Sequence, residues 1–333
     1  MKKPYTILLA FILLLATACS REDISPTNPE AQLAAGPAIQ LVPDSLDLPP
    51  LINSISPPPY VNARHYTFPS PANGGQDVGF TLVTSTTFVP NPNQPVKAFV
   101  FLHGQGGSEH SGLVNYIPNL YQTGLLADDA VYILLNGITN GGGSWEDKPL
   151  QGYHPIPTIR ECIDALHFDP NFDYISDDPA DWTLIGFSMG GRAAMSTAFN
   201  PDFLNWQRMP ATIYPMGSWL STENLNEMID FDAALANLSA FLPQRMDINV
   251  ITHTLDRGGD NSPTLKVDVT DPFVANLNSA GFTIPNIHIS TPRPGCLPSA
   301  PQVGPCNVHK IHVYLEHPVP GNPSETIGER IHQ

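Results

Sequence analysis

The stretch Gly186-Phe187-Ser188-Met189-Gly190-Gly191 carries the clearest chemical signal in this sequence. A serine with glycines two residues to either side, set between an apolar run and a small-residue segment, fits a tight turn from strand to helix. The turn lifts the Ser188 hydroxyl clear of the backbone and aims the N-terminus of the following helix at any anion formed there. The chemistry that needs this arrangement is nucleophilic attack on an acyl carbon. It also needs a base within hydrogen-bond reach, a carboxylate to orient the base, and two backbone N–H groups for the oxyanion.

Each of those roles has candidates. The oxyanion donors are the N–H of Met189, directly after the serine, and that of Gln105 in Phe101-Leu102-His103-Gly104-Gln105-Gly106-Gly107, where glycines let the backbone approach a substrate. His103 precedes this turn and reads as structural. The acid is expected after the next strands, in the chain order serine, acid, histidine. Asp256 closes the apolar run that begins at Val250, and Asp260 in the same loop is its competitor. His309, His312, His317 and His332 all follow the last long helical pattern. Ile311, Val313 and Leu315 alternate and predict a strand over 308–315, so His317 is the first histidine in the loop beyond it. That makes His317 the favoured base and His309 the alternative. Two tryptophans sit where loops would line a pocket: Trp145 in a Gly-rich loop, which either stacks on substrate or anchors the loop, and Trp219, a weaker candidate.

The elements that must position these groups can be read from the hydrophobic pattern. Residues 63–68 and 77–88 alternate as an antiparallel entry hairpin. Apolar runs at 96–102 and 131–135 read as buried strands, and 182–185, 211–216 and 248–255 as further strands. Helical patterns at 111–124, 156–167, 190–199 and 272–280 separate most of them. Strands near 286–290 and 308–315 and a helix at 324–332 complete the set. This alternation predicts an α/β domain with a mostly parallel central sheet and helices on both faces. In such sheets the reactive groups gather where strands end and loops begin.

The chain has 333 residues, with 15 basic and 31 acidic side chains and a net charge of −16. That balance argues against a nucleic-acid partner and against electrostatic attraction to anionic lipid. A basic start at Lys2-Lys3 and an apolar run from Ile7 to Ala16 form a secretory leader too short to span a bilayer. Ala16-Thr17-Ala18-Cys19 resembles a lipobox, which implies cleavage after residue 18 and a lipid on Cys19; the alternative is ordinary signal cleavage. Ser20 after the cysteine points to the outer membrane, and Glu22-Asp23 resembles the export tag of surface lipoproteins. The expected location is an outer-membrane or cell-surface lipoprotein, otherwise a secreted or periplasmic protein. Residues 19–59 are Pro-, Ser-, Asn- and Ala-rich and read as a tether, leaving 60–333 as the folded domain. Cys296 and Cys306 are expected to pair in an oxidising compartment, and Cys162 to be a buried thiol. No Cys/His spacing reads as a zinc site.

The set LHGQGG, GFSMGG, strand-end Asp256 and His317-Pro318-Val319-Pro320-Gly321 resembles the polyhydroxybutyrate depolymerase-like and feruloyl esterase-like branch of the α/β-hydrolases. In that branch the base often lies in an H-x-W-P-G stretch, where Val319 here replaces the tryptophan. A cysteine-containing segment upstream of the last strand, like that of Cys296 and Cys306, is also usual there. The acid strand, His253-Thr254-Leu255-Asp256, departs from the branch pattern, and the serine turn also resembles that of cutinase-type polyesterases. The resemblance implies the α/β-hydrolase fold and a secreted serine ester hydrolase that acts on polymer-derived or carbohydrate-linked esters. It needs no cofactor or metal, and touches membrane only through Cys19. The rivals are a serine peptidase on the same fold and a non-catalytic surface binding lipoprotein.

Overall fold

The computed structural model describes residues 39–41, 59–108, 111–137, 144–148, 152–242, 246–259, 262–292, 295–297 and 306–332. The leader, Cys19, most of the 19–59 segment and Asp260 lie outside the described residues.

A ten-stranded sheet organises the chain, in the order β1-β2-β3-β5-β4-β6-β7-β9-β10, with β8 paired to β7. The first three strands, β1 (Gln40–Leu41), β2 (Val61–Ser70) and β3 (Gln76–Ser85), pair antiparallel, and β3 joins β5 (Ala130–Leu135) antiparallel as well. From β5 onward every neighbour is parallel: β4 (Lys97–Leu102), β6 (Trp182–Phe187), β7 (Thr212–Met216), β8 (Asp247–Ile248), β9 (Val250–His253) and β10 (Asn286–Ile289). Part of the segment read as a tether, Gln40–Leu41, is thus the outermost strand of this sheet.

Parallel strands are apolar on both faces because helices cover both sides, and β4 shows the consequence. Ala98, Val100 and Leu102 pack on one side with α2 (Pro155–Phe168), α3 (Met189–Ala198) and α6 (Lys266–Ser279). Phe99 and Phe101 pack on the other with α1 (Ile117–Gln122), α7 (Ile311–Leu315) and α8 (Ile327–His332). Two short helices, α4 (Thr222–Asn226) and α5 (Phe231–Ala236), cap the edge of the first layer. Truncating a fully buried leucine of either layer to alanine is expected to cost about 2–5 kcal/mol.

The expected strands and helices are present up to residue 289, with shifted ends. The helix expected at 111–124 opens with one π-helical turn, Gly112–Tyr116. Beyond β10 the strand expected at 308–315 fails, while the tail helix expected at 324–332 is present as α8. Residues 311–315 form a helix, α7, not the last strand. Ile311, Val313 and Leu315 alternate in sequence, but Tyr314 between them is buried as well, so the burial follows a short helix covered on most sides and not a two-residue strand period. Residues 318–326 then form a small hairpin, β11 (Pro318–Val319) and β12 (Asn322–Thr326), before α8. Cys296 and Cys306 are joined by a disulfide, and Cys162 is a buried free thiol.

Candidate active site

Ser188 sits between the end of β6 and the start of α3 with φ 57° and ψ −118°. It is the one non-glycine residue with positive φ among the described residues. Such a conformation is disfavoured for an L-residue and persists only when its surroundings enforce it. The backbone supplies that enforcement. The N–H of Ser188 donates to Met216 O at 2.8 Å, and its carbonyl accepts from Gly191 N at 3.0 Å and from the Ser218 hydroxyl at 2.5 Å. The flanking glycines are steric requirements. A Cβ on Gly186 would lie 2.1 Å from Gly190 O, and one on Gly190 would lie 2.1 Å from Leu102 O.

Ser188 Oγ is 3.1 Å from His309 Nε2, and His309 Nδ1 is 3.0 Å from Asp256 Oδ2. His309 lies just before α7, and three contacts fix its place. Its backbone N–H donates to Asn307 Oδ1 at 2.8 Å, its ring stacks on Phe187 at 4.8 Å, and its Nδ1–H donates to Asp256 Oδ2 at 3.0 Å. With that proton on Nδ1, Nε2 is left to accept from the serine hydroxyl.

Asp256 is wholly buried just past the end of β9. Its Oδ1 accepts from Gly258 N at 2.7 Å, and Oδ2 accepts from the Tyr314 hydroxyl as well as from His309. The Lys266 ammonium is 3.6 Å from Oδ2. Burial pushes the carboxyl pKa up, but the hydrogen bond from His309, the charge of Lys266 and the Tyr314 hydroxyl outweigh it. Asp256 is therefore held well below the ordinary carboxylate range. For His309 the balance runs the other way. Burial first, then the Lys266 charge, lower its pKa against the upward pull of Asp256.

The structure puts His309, not His317, against Ser188. His317 opens the β11–β12 hairpin, accepts from Ile327 N at 2.8 Å, and meets His253 edge-on at 6.1 Å. It faces a separate hollow beside the Cys296–Cys306 bridge. The physical cause is the misread strand. A base is expected in the loop after the last strand, the last strand of the sheet is β10, and His309 lies in that loop. His332 is half-buried against the other layer, where its surroundings push its pKa down to about 4 and its Nε2 meets the Tyr116 hydroxyl at 2.7 Å. His312 lines the cavity over Ser188.

His103 is structural, as its position before the glycine turn suggests. Its Nδ1 donates to Gly104 O at 2.7 Å and its Nε2 accepts from Gly137 N at 3.0 Å, so both ring nitrogens are engaged. Burial pushes its pKa down to about 4. The turn it supports closes on the nucleophile, since a Cβ on Gly104 would lie 3.2 Å from Ser188 Cβ. Gln105 lines the cavity beside it, and Met189 opens α3 directly after Ser188.

A cavity of about 740 Å³ lies over Ser188 and His309. Trp219 is half-buried in its wall. Trp145 is not. It is wholly buried, donates from Nε1 to His103 O at 2.9 Å and packs against the His103 ring. Its role is to anchor the loop, so the substrate-stacking alternative falls. Lys266 and Tyr314, which both touch the histidine–aspartate pair, escape sequence reading. One is a lysine in a mixed segment and the other an aromatic among apolar residues, and neither spacing marks them.

Two solved structures share this architecture. A fluorophosphonate-binding serine hydrolase of Staphylococcus aureus, solved with substrate bound, superposes with a TM-score of 0.51 at 16% identity, covering 69% of this chain and 91% of its own. One of two esterases from the fungus Rhizomucor miehei superposes with a TM-score of 0.51 at 16% identity, covering 84% of this chain and 82% of its own. The fold is the α/β-hydrolase fold. At that identity the likeness concerns architecture alone. No protein-family model matches the sequence, and no curated protein matches it. In α/β-hydrolase terms the chain order is Ser188, Asp256, His309, the order expected of that fold.

Proposed function

We propose that this protein is a serine ester hydrolase working through an acyl-enzyme. The observation that carries the reading is the connected path from Ser188 Oγ to His309 Nε2 at 3.1 Å and from His309 Nδ1 to Asp256 Oδ2 at 3.0 Å, on a turn strained to φ 57°. Ser188 attacks the ester carbonyl while His309 takes the hydroxyl proton. His309 then protonates the leaving alcohol, and Asp256 stabilises the imidazolium that forms between these steps. Water repeats the sequence on the acyl-enzyme. The N–H groups of Met189 and Gln105 receive the oxyanion, and loss of one such donor typically costs about 3 kcal/mol.

The reading extends to substrate and place. The open cavity, with Trp219 in its wall, suits an ester bearing a flat or polymeric group, such as polyester fragments or feruloyl and acetyl esters on carbohydrate. The leader and the Ala16-Thr17-Ala18-Cys19 stretch support export and a lipid on Cys19. A disulfide between Cys296 and Cys306 is consistent with an oxidising compartment.

The test is a fluorophosphonate probe on the soluble form that starts after Cys19, with peptide mapping and Ser188→Ala alongside. A panel of p-nitrophenyl acetate, methyl ferulate and hydroxybutyrate oligomers follows. Labelling confined to Ser188, with turnover of at least one ester, is the expected result. A folded protein that neither labels nor turns over any ester contradicts the reading.

A further inference from the structure

The histidine–aspartate pair has a third neighbour that the reaction as described does not use. Lys266 is the first residue of α6, and its side chain is completely buried. A cation at a helix N-terminus opposes the helix dipole, and a buried ammonium is costly unless its charge and all its protons are met. Its placement therefore needs a local reason, and its contacts supply one. The backbone N–H of Lys266 donates to Asp256 O at 2.9 Å, and its Nζ lies 3.6 Å from Asp256 Oδ2. The same Nζ donates to Gly217 O, in the turn beside the Ser188 elbow, and lies 4.6 Å from the centre of the Trp219 ring. It is 3.0 Å from His309 Nδ1. That nitrogen already donates to Asp256 in the tautomer Ser188 requires, so the Lys266 contact with the ring is charge against a donor, not a hydrogen bond.

The geometry points to Lys266 as a positioning residue for the base: its buried ammonium anchors the Asp256 carboxylate and opposes protonation of the His309 ring. The inference rests on the ester-hydrolase reading and deepens it. The other groups facing His309 are accounted for. Asp256 approaches from the loop after β9 and favours the protonated ring. Tyr314 of α7 bonds to Asp256 and remains a neutral donor, its hydroxyl pKa pushed far up by burial. Lys310 is adjacent in the chain and weakly opposes protonation, and His312 lies across the cavity. Lys266 is thus the buried cation in contact with the ring. In hydrolysis the neutral imidazole is the active form, so activity falls as pH drops through the His309 pKa. Removing the ammonium raises that pKa and moves the acid limb to higher pH.

The experiment measures the second-order rate of fluorophosphonate labelling between about pH 4 and pH 9 for the wild type, Lys266→Met and Lys266→Arg. Labelling reports on the serine and its base without a known substrate. The expected wild-type acid limb lies below 6.5, the ordinary histidine value. In Lys266→Met it moves up by about one pH unit, so the loss relative to wild type grows as the pH falls and approaches about tenfold more than at pH 8 once the pH is well below the wild-type midpoint. Lys266→Arg, which keeps the charge, holds the limb close to that of the wild type. A uniform loss at every pH, with an unshifted limb, overturns the proposal and leaves Lys266 a purely structural ion-pair member. Should Lys266→Met fail to fold, Lys266→Gln takes its place, and NMR of the His309 ring in the wild type and in Lys266→Gln gives a second check: a higher midpoint in the variant is expected, and an unchanged one overturns the proposal. A wild type that does not label at any pH overturns the ester-hydrolase reading itself, whereas labelling with an unshifted limb sinks Lys266 alone.

Discussion

The nucleophile and the base are held in opposite ways. Ser188 is placed by backbone: β6 delivers it, α3 begins at the next residue, Met216 O holds its N–H, and Gly186 and Gly190 leave room that no side chain could occupy. His309 is placed by residues far away in sequence. Phe187 supplies its stacking face, Asp256 its proton acceptor, and α7 brings Tyr314 back onto that carboxylate. The serine turn is thus a backbone steric device, closed by β4 and β7, in the middle of a parallel sheet. The described residues past β10 form short elements, α7, the β11–β12 hairpin and α8, joined to the rest by long-range contacts. Rigid backbone aims the attacking atom, and tertiary packing aims the base.

That contrast is exposed to direct tests. The largest effect is expected at the junction of the two regions. Asp256→Asn keeps the shape but presents a donor to Nδ1, which leaves the proton on Nε2. Ester turnover should drop about 10⁴-fold, and stability should fall by about 3–5 kcal/mol because the buried Lys266 ammonium loses its countercharge; a turnover drop of less than about tenfold in the folded variant would break the link between acid and base. Trp145→Ala removes a wholly buried indole and its bond to His103 O, with an expected cost of about 3–5 kcal/mol in denaturant unfolding. Were unfolding unchanged and only the Michaelis constant raised, Trp145 would belong to the substrate after all. Gly190→Ala forces a methyl against Leu102 O, at about 3 kcal/mol of stability and with loss of labelling, whereas Gly295→Ala, strained only by its φ of 82° with its Cβ meeting nothing within 4 Å, should lose some stability and leave labelling intact. Smallest of the four, the double change Cys296→Ser with Cys306→Ser should lower stability by about 2–3 kcal/mol. Ser188 should still label, because Phe187 and Asp256, not the bridge, hold His309. Loss of labelling in that folded variant would make the disulfide part of the site.

The same contrast sets how much the sequence disclosed. The parallel strands, the serine turn, the structural role of His103 and the end-of-strand position of Asp256 follow from continuous apolar runs and glycine spacing, which are local signals. The last forty residues misled because a five-residue helix buried on several sides shows the same alternation as a strand. Taking 308–315 as the last strand moved the expected loop, and with it the base, eight residues along to His317. Trp145 was undecided for a related reason, since a loop tryptophan reads alike whether it faces solvent or the interior. Lys266 and Tyr314 had no local signature, because what defines them is contact with Asp256 across the fold.

The central claim is that His309 activates Ser188. The most direct measurement compares fluorophosphonate labelling rates of His309→Ala and His317→Ala with the wild type near pH 8, with folding checked by circular dichroism. The account predicts that His309→Ala labels at least about 10⁴-fold more slowly, as removal of a catalytic base does in serine hydrolases, while His317→Ala stays within about threefold of the wild type. Fast labelling in folded His309→Ala, or its loss in folded His317→Ala, would contradict the account.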